Sequence, residues 1–315
     1  MHTRVLEGLS GVGAAVEILR TGEVVALPTE TVYGLAGDAL NPLAVARIFD
    51  AKNRPHFDPL IVHVADRAML ERIAILDNPL AIRLMAKYWP GPLTILLPKR
   101  EIISDLVTAG SPLVAVRMPA HPVFRSVLQS YGVPLAAPSA NPFGQISPTE
   151  AQHVVAGLGG RISLILDSGK CQHGLESTLV YPENGVLHLL RHGPISSEEL
   201  STFAPVEVAQ KNVAAPGQLE SHYAPRKPLI LVDSVDNVPT RMGNGWLGFQ
   251  SSCSGFSASE VLSPTGNFVE AAANLFAALH RLDAAPVQTI YAEKVPAEGL
   301  GRAILDRLTR AAAKS

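Results

Sequence analysis

The sequence predicts an α/β or α+β protein of two domains. The chain has 315 residues, and at about 150 residues per domain this length favours two domains. Apolar residues make up 47% of the chain and charged residues 17%, which supplies enough apolar material for a packed core. Short apolar segments alternate with helix signals, and their mixed spacing with several strand-to-strand returns argues against a regular βαβ repeat.

Eight segments in the first two-thirds of the chain are typical of strands, because they are short, mostly apolar and bounded by proline, glycine or charge. They are Val24–Leu27, Leu60–Val64, Thr94–Leu97, Val114–Arg117, Leu135–Ala137, Leu164–Leu166, Thr178–Val180 and Val186–Leu190. Helices are predicted to begin after Asn41, Asn78 and Ser147, because each of these capping side chains precedes a proline at the first helical position. Ser147 also has Glu150 three residues later, which predicts a capping box.

Residues 205–228 interrupt this pattern. They contain four prolines and no sustained period, which is typical of a linker, and a segment of this length is usually functional or a tether. A small α/β domain is predicted after it, with strands and helices at Leu229–Val232, Phe268–Leu282, Thr289–Ala292 and Gly301–Ala313. We therefore predict domains over residues 1–204 and 229–315, joined by a linker or lid at 205–228.

Charge and cysteine content exclude several classes of protein. The formal net charge is −2, which excludes a wholly basic nucleic-acid coat but not a local basic cleft. The two cysteines, Cys171 and Cys253, cannot form a four-thiolate metal site, and unpaired thiols fit a reducing cytosol. The chain shows no signal peptide and no apolar run near the ~18 residues that span a bilayer. We expect a cytoplasmic protein that does not contact membranes.

Common catalytic motifs are missing from the sequence. It contains no GxxxxGK(S/T) phosphate loop, no complete dinucleotide fingerprint, no HExxH and no GxSxG. We therefore expect no protein nucleophile and no metal hydrolase.

Cationic residues instead lie near strand ends or on extended chain. Lys52 and Arg54 are two residues apart on a segment that Pro55 keeps extended, so both side chains point the same way and can hold a polyphosphate. A solvated surface pair is the alternative. Arg117 and Arg191 end apolar strands, and a buried arginine needs an anion from either the protein or a ligand. Together the four cations favour an anion site.

Hydroxyl, amide and imidazole groups accompany these cations. The segment 28–35, with Thr31, follows a predicted strand, and the proline-bounded segment 137–142 predicts a rigid polar loop. A tight turn with a capping threonine explains the first segment equally well, and a turn alone would also explain the second, although its two prolines suggest a pre-set shape. Ser177 begins a strand, and His63 interrupts another, where a buried histidine satisfied by one hydrogen bond is the alternative to a ligand.

The order of these motifs resembles the YrdC-type threonylcarbamoyl-AMP synthases. The motifs are Pro28-Thr29-Glu30-Thr31-Val32-Tyr33-Gly34-Leu35, Lys52-Asn53-Arg54-Pro55, Pro59-Leu60-Ile61-Val62-His63, Trp89-Pro90-Gly91-Pro92-Leu93-Thr94, Val116-Arg117-Met118-Pro119, Pro138-Ser139-Ala140-Asn141, Ser177-Thr178-Leu179-Val180 and Arg191-His192-Gly193. Ser221-His222-Tyr223-Ala224-Pro225 and Gly299-Leu300-Gly301-Arg302-Ala303-Ile304 resemble the long, two-domain form. Lys-x-Arg combined with Ser-x-Asn at this separation is specific, whereas any single motif is not.

The resemblance implies an open, twisted, mixed α/β sheet with a concave basic cleft, followed by a small C-terminal α/β domain. It implies a nucleotidyltransferase that makes L-threonylcarbamoyl-adenylate and pyrophosphate from ATP, L-threonine and bicarbonate. The product would pass to a tRNA threonylcarbamoyl transferase for the t6A modification at tRNA position 37, and direct contact with tRNA stays open.

The same resemblance implies roles for individual residues. The nucleotide side would comprise Lys52, Arg54, Asp58, Ser139, Asn141, Ser147, Arg191 and Tyr223. The threonine side would comprise Thr31, His63, Arg117, Ala137 and Ser177. Lys52 and Arg54 would act in catalysis, and the linker would fold over the cleft.

Two points about charge follow from this assignment. Asp58 stands where many relatives have asparagine, so its carboxylate must either bind magnesium or point away from phosphate. The four cations do not balance ATP, a carbamate and the threonine carboxylate, so we expect Mg²⁺, held mainly by the ATP phosphates.

Three other functions stay open at the level of sequence. An open basic cleft can hold duplex RNA, although no aromatic residues interleave with the basic ones. A carbamoyl-transfer enzyme that handles carbamoyl-adenylate would use a related domain. A structural or regulatory protein would have no need for a cluster of residues suited to bind anions.

Overall fold

The computed structural model describes residues 2–208 and 222–313. Most of the predicted linker or lid, residues 209–221, lies outside the described residues. Within the described chain, eleven strands form one large sheet and four form a smaller one.

The large sheet belongs to the first part of the chain and is mixed. In chain order its strands are β1 Arg4–Glu7, β2 Val25–Leu27, β3 Gly34–Asp38, β4 Ile61–His63, β5 Leu93–Pro98, β6 Leu113–Arg117, β7 Leu135–Ala136, β8 Leu164–Asp167, β9 Thr178–Glu183, β10 Val186–Arg191 and β11 Val206–Val208. Their spatial order is β1-β8-β2-β3-β7-β4-β6-β5-β9-β10-β11. Strand β6 is parallel to β4 and antiparallel to β5. The predicted fold class is confirmed, and all eight predicted strands are present with small differences at their ends.

Strands β1, β3 and β11 were not predicted. Strand β11 corrects the start of the predicted linker, because Val206–Val208 pairs in parallel with β10 at the edge of the sheet. The adjacent Pro205 carbonyl accepts a hydrogen bond from the Leu187 N–H at 2.8 Å. An edge strand of three residues carries too short a pattern to stand out beside a proline-rich stretch.

The helices flank the sheets, and two of their predicted caps are confirmed. In chain order they are α1 Val12–Arg20, α2 Pro42–Lys52, α3 Arg67–Ile73, α4 Pro79–Tyr88, α5 Asp105–Thr108, α6 Pro122–Tyr131, α7 Ala151–Leu158, α8 Ser197–Ser201, α9 Phe268–Ala284 and α10 Gly301–Ala312. The Asn41 side chain accepts from the Leu43 N–H to cap α2, and that of Asn78 accepts from the first turn of α4.

The predicted cap at Ser147 is wrong. Helix α7 begins at Ala151 with Glu150 at its N-cap position. The Ser147 hydroxyl instead donates to the Glu176 carboxylate at 2.5 Å. The charge-assisted hydrogen bond to a buried carboxylate from a distant segment outweighs the backbone N–H contacts that the Ser147 oxygen would accept as a local cap.

The C-terminal sheet is wholly parallel. Its strands are β12 Leu229–Val232, β13 Gly245–Gly248, β14 Ala258–Val261 and β15 Ile290–Glu293, in the spatial order β12-β15-β13-β14. Helices α9 and α10 pack on it, and the four elements predicted for this region are confirmed. The glycine-bounded β13 and the half-exposed β14 were missed.

The two sheets are joined by a shared apolar core. The cluster around α9 and α10 includes Val32, Ile146 and Leu175 from the first part of the chain. At Gly174, which has φ +67°, an added Cβ would lie 2.6 Å from backbone atoms of Ala272 and Ala273 in α9. The backbones of the two parts therefore touch. No helix in residues 2–208 and 222–313 is long and apolar enough to cross a bilayer.

The Asn41 cap should be measurable in stability. Replacing Asn41 by alanine removes the acceptor for Leu43 N–H at the start of α2, and loss of such a cap costs about 1 kcal/mol. We expect a lower urea midpoint by circular dichroism for Asn41→Ala and an unchanged one for Asn41→Asp, which keeps an acceptor. Equal behaviour of the two variants would contradict the capping role.

Candidate active site

A cleft open to solvent lies at the carboxyl ends of the parallel strands β4 and β6. Loops and strand ends from distant parts of the chain meet there. Its lining consists of Thr29, Thr31, Val32, Gly34, Arg54, Pro59, Ile61, His63, Arg117, Ala137, Pro138, Ser139, Glu176, Ser177, Arg191, His222 and Tyr223. The edge formed by carboxyl ends of parallel strands is a common ligand-binding position in α/β proteins.

Arg117 ends β6 and is held by three groups of the protein. Its Nη1 donates to the Thr31 hydroxyl at 2.8 Å, and its Nε to the Gly91 carbonyl at 3.2 Å. Its Nη2 lies 2.7 Å from Glu30 Oε1 in a buried ion pair. Burial raises the pKa of Glu30, but Arg117 outweighs it and the pKa lies below its ordinary value. The anion that the sequence required is therefore a protein carboxylate in this structure.

His63 sits beside Arg117 in the sheet, where the two residues are register partners. Its ring packs against Phe124 at 4.9 Å between centroids. Burial, with a further contribution from Arg117, lowers the pKa of His63 to about 3. Its Nδ1 has no hydrogen-bond partner among the described residues. The cleft wall thus presents a neutral imidazole beside a guanidinium.

Arg54 also lines the cleft and pairs with Asp58. Arg54 Nη2 is 2.9 Å from Asp58 Oδ2, and it also donates to the Pro59 carbonyl at 2.8 Å. Burial raises the pKa of Asp58, although the neighbouring Arg54 acts against that change. The Asp58 carboxylate therefore pairs with Arg54, four residues earlier in the chain.

The predicted extended segment is wrong at Lys52, which is the last residue of α2, is buried and, unlike Arg54, does not line the cleft. Its Nζ donates to the carbonyl oxygens of Ser139 and Asn141, each at 2.5 Å. Burial, and then Arg54, lower the pKa of Lys52 well below its ordinary value. Lys52 therefore fastens the loop that carries Ser139 on the cleft wall.

Arg191 and Ser177 form a second polar group on the wall. Arg191 donates from Nε to the Ser177 carbonyl at 3.1 Å and from Nη2 to the Ser177 hydroxyl at 3.0 Å. The Ser177 hydroxyl lies 2.6 Å from that of Thr94. Burial lowers the pKa of Arg191. The Ser177 hydroxyl is therefore fixed between a guanidinium and a second hydroxyl.

Glu176 connects the cleft to the C-terminal domain. Its Oε1 accepts from Ser147 and its Oε2 accepts from Arg307 Nε at 2.9 Å. Burial raises the pKa of Glu176, but Arg307 and Arg191 outweigh it and the pKa lies below its ordinary value. Tyr223 closes the wall nearby, with the Arg307 guanidinium 5.0 Å from its ring centroid.

The structure thus brings most of the predicted site residues to one place. Arg54, Ser139, Arg191 and Tyr223 line the cleft with Thr31, His63, Arg117, Ala137 and Ser177. Three further predicted residues do not line the cleft, but each contacts a residue that does. They are Lys52, Asp58 and Ser147. The Asn141 side chain donates to the carbonyls of Pro142 and Gln145 and borders a second cavity.

Sequence reasoning missed Glu30, Glu176, His222 and Arg307. Glu30 and Glu176 could have been predicted as partners of buried arginines, because a buried arginine needs a carboxylate. Glu30 lies within the motif 28–35, and Glu176 directly precedes Ser177. His222 lies in the motif Ser221-His222-Tyr223-Ala224-Pro225. Burial and the surrounding cations lower the pKa of His222 well below its ordinary value. Arg307 had no signal, since it follows a charged residue on an amphipathic helix.

Two family models cover the chain. Residues 17–193 match the Sua5, YciO and YrdC family, described as telomere recombination, and residues 195–313 match a family described as threonylcarbamoyl-AMP synthase, C-terminal domain.

Similar proteins span the chain almost completely. A threonylcarbamoyl-AMP synthase of Bacillus subtilis is 39% identical over 96% of this chain and 92% of its own length. One from Pyrococcus abyssi is 38% identical over 94% of this chain and 92% of its own. The structure of P. abyssi Sua5 complexed with L-threonine has a TM-score of 0.89 and 36% identity, and covers 98% of both chains.

The burial of His63 predicts a proton uptake on unfolding. The folded group stays neutral down to about pH 3, whereas an unfolded histidine is protonated below about pH 6.5. Its contribution to stability is therefore complete above that pH and falls as the solution is acidified toward the folded pKa. We expect His63→Gln to reduce the proton uptake on urea unfolding at pH 5.5 by nearly one proton, measured in weakly buffered solution. Equal uptake by both proteins would contradict the burial of a neutral imidazole.

Proposed function

Because the chain belongs to the two-domain threonylcarbamoyl-AMP synthase family, we propose that its cleft holds L-threonine beside ATP. The chain is a nucleotidyltransferase that forms threonylcarbamoyl-AMP for the t6A modification of tRNA. The observation that supports this most directly is that Arg54, Arg117 and Arg191 converge on one cleft although they lie far apart in sequence.

The reaction needs positioning and charge stabilisation more than covalent help from the protein. The neutral amine of threonine attacks bicarbonate or carbon dioxide and gives a carbamate. Water is released from bicarbonate, and a proton is released when carbon dioxide reacts. A carbamate oxygen then bonds to the α-phosphorus of ATP, and the bond to the leaving pyrophosphate breaks. Transfers of this kind depend mainly on alignment and neutralisation of charge.

L-Threonine binds on the side of Thr31, His63 and Arg117. The Arg117 guanidinium has more N–H donors than its three protein contacts use, so it can take the substrate carboxylate as well. The neutral His63 adds no charge that would repel a substrate amine. The small Ala137 and the fixed Ser177 hydroxyl leave a compact polar space for the threonine side chain.

ATP binds on the side of Arg54, Ser139 and Arg191, with Tyr223 closing the wall. Arg54 meets the phosphates as a planar donor group, and Lys52 keeps the Ser139 loop in place and adds charge when a polyphosphate arrives. A nearby polyanion raises the pKa of a buried lysine, which favours its charged form at that moment.

Mg²⁺ enters as part of the ATP complex. Among the described residues, no group of three or more His, Cys, Asp or Glu side chains is placed to hold a metal ion. The buried carboxylates of Asp58 and Glu176 already face guanidinium groups. The ATP phosphates would therefore hold most of the ion's coordination sites, as is usual for Mg²⁺ in nucleotide sites.

The product is a reactive mixed anhydride and has to be consumed soon after release. We place the reaction in the cytoplasm, where a tRNA threonylcarbamoyl transferase takes the threonylcarbamoyl group to position 37 of tRNA.

The proposed function is tested by pyrophosphate release from full-length protein with ATP, Mg²⁺, bicarbonate and one amino acid at a time. We expect release with L-threonine, partial release with L-serine and none with L-valine, because a site that hydrogen-bonds a hydroxyl rejects an isostere that lacks it. Chelation of Mg²⁺ should abolish the signal. Release that does not depend on an amino acid would contradict the proposal and favour a carbamoyl-transfer enzyme.

Arg117→Ala should act on threonine more than on ATP. Removal of one partner of a buried charge pair costs about 3 kcal/mol, so we expect the KM for threonine to rise by roughly two orders of magnitude. Arg67→Ala removes an exposed arginine that pairs only with Glu71 in the described chain and serves as the control. An unchanged KM for threonine in Arg117→Ala would remove Arg117 from the threonine site.

A further inference from the structure

Arg307 is a fully buried charge at the boundary between the two sheets. It lies in the middle of α10, in the C-terminal domain, and none of its surface is exposed. Its Nε donates to Glu176 at 2.9 Å, its Nη2 to the His192 carbonyl at 2.9 Å and its Nη1 to Asp306 at 2.6 Å. Two of these three partners belong to the first part of the chain.

A charge in this position is not needed to hold the domains together. The interface already contains a continuous apolar core, and a well-packed apolar residue generally stabilises such a site as well as a buried ion pair does. Helix α10 also carries a second contact between the domains, where Arg302 pairs with Glu198 near the surface. The position of Arg307 is therefore better explained by what its partners do.

Its partners are elements of the cleft. Glu176 lines the cleft and shares its two oxygens between Arg307 and Ser147. The other face of the guanidinium stands 5.0 Å from the ring centroid of Tyr223. Tyr223 has φ +63°, a strained backbone for a bulky residue that its surroundings must maintain. One side chain thus orients both a carboxylate and an aromatic ring on the wall.

We propose that the C-terminal domain takes part in nucleotide binding through Arg307, a positioning residue that fixes Glu176, Ser147 and Tyr223 on the ATP side of the cleft. This inference rests on the proposed function, which puts ATP on that side. Arg307 itself does not line the cleft.

The expected signature is a selective loss of ATP affinity. Without Arg307 the Glu176 carboxylate is left buried with no guanidinium on Oε2, and both Ser147 and Tyr223 lose a fixed neighbour. The threonine-side contacts among Thr31, Glu30 and Arg117 do not involve Arg307. We therefore expect the KM for ATP to rise about tenfold or more, as for loss of one charge-assisted hydrogen bond, with the KM for threonine nearly unchanged.

The test compares Arg307→Met, Arg307→Lys and Arg302→Met in the full-length chain. Initial rates of threonine-dependent pyrophosphate release give both KM values, and calorimetry gives the affinity for ATP alone. Arg307→Met should weaken ATP selectively. Arg307→Lys keeps the charge but cannot reach Glu176 and the His192 carbonyl together, so it should weaken ATP less. Arg302→Met loses an ion pair between the domains and should leave both KM values as in the wild type.

Three results would overturn the inference. One is a wild-type KM for ATP in Arg307→Met, another is an equal rise of both KM values, and the third is the same change in Arg302→Met. If Arg307→Met does not fold by circular dichroism, Arg307→Lys decides, and an unchanged KM for ATP there counts against the inference. A wild-type chain without threonine-dependent release overturns the proposed function instead.

Discussion

The cleft depends on the neutralisation of buried guanidinium groups. Three buried arginines each face a buried carboxylate. The pairs are Arg117 with Glu30, Arg54 with Asp58, and Arg307 with Glu176. An uncompensated buried ion costs several kcal/mol, so the cleft walls require these carboxylates as much as they require the cations. The same pairs hold each arginine in one orientation before any ligand arrives.

This pairing changes how the charge of the cleft has to be understood. From the sequence, Lys52 and the arginines look like free positive charge ready for a polyphosphate. In the structure Arg54 already has a carboxylate, and burial lowers the pKa of Lys52 well below its ordinary value. The resting cleft is therefore less positive than its basic residues suggest. A triphosphate that brings its own divalent ion needs less compensation from the protein than a bare one.

The sequence predicted local features well and distant pairings poorly. Segments with a strong apolar pattern became strands, and Asn41 and Asn78 cap helices because the whole motif lies within four residues. Ser147 has the same local pattern, yet Glu176 takes its hydroxyl. The strand-end and extended positions of Arg54, Arg117 and Arg191 favoured one anion site, but the order in which the strands pair decides that they meet. Which carboxylate neutralises which arginine depends on tertiary contacts that spacing along the chain does not encode.

The C-terminal domain belongs to the cleft by packing although it is separate along the chain. Its apolar core takes in Val32, Ile146 and Leu175, and each of these is close in sequence to a residue of the site. Tyr223 enters the same core, where its ring packs on Phe276 at 5.6 Å between centroids. A left-handed backbone at a tyrosine persists only where several contacts fix it together. The segment that closes the cleft is thus held by the second domain, and a first domain alone would lack both the apolar surface and the buried charge that keep it there.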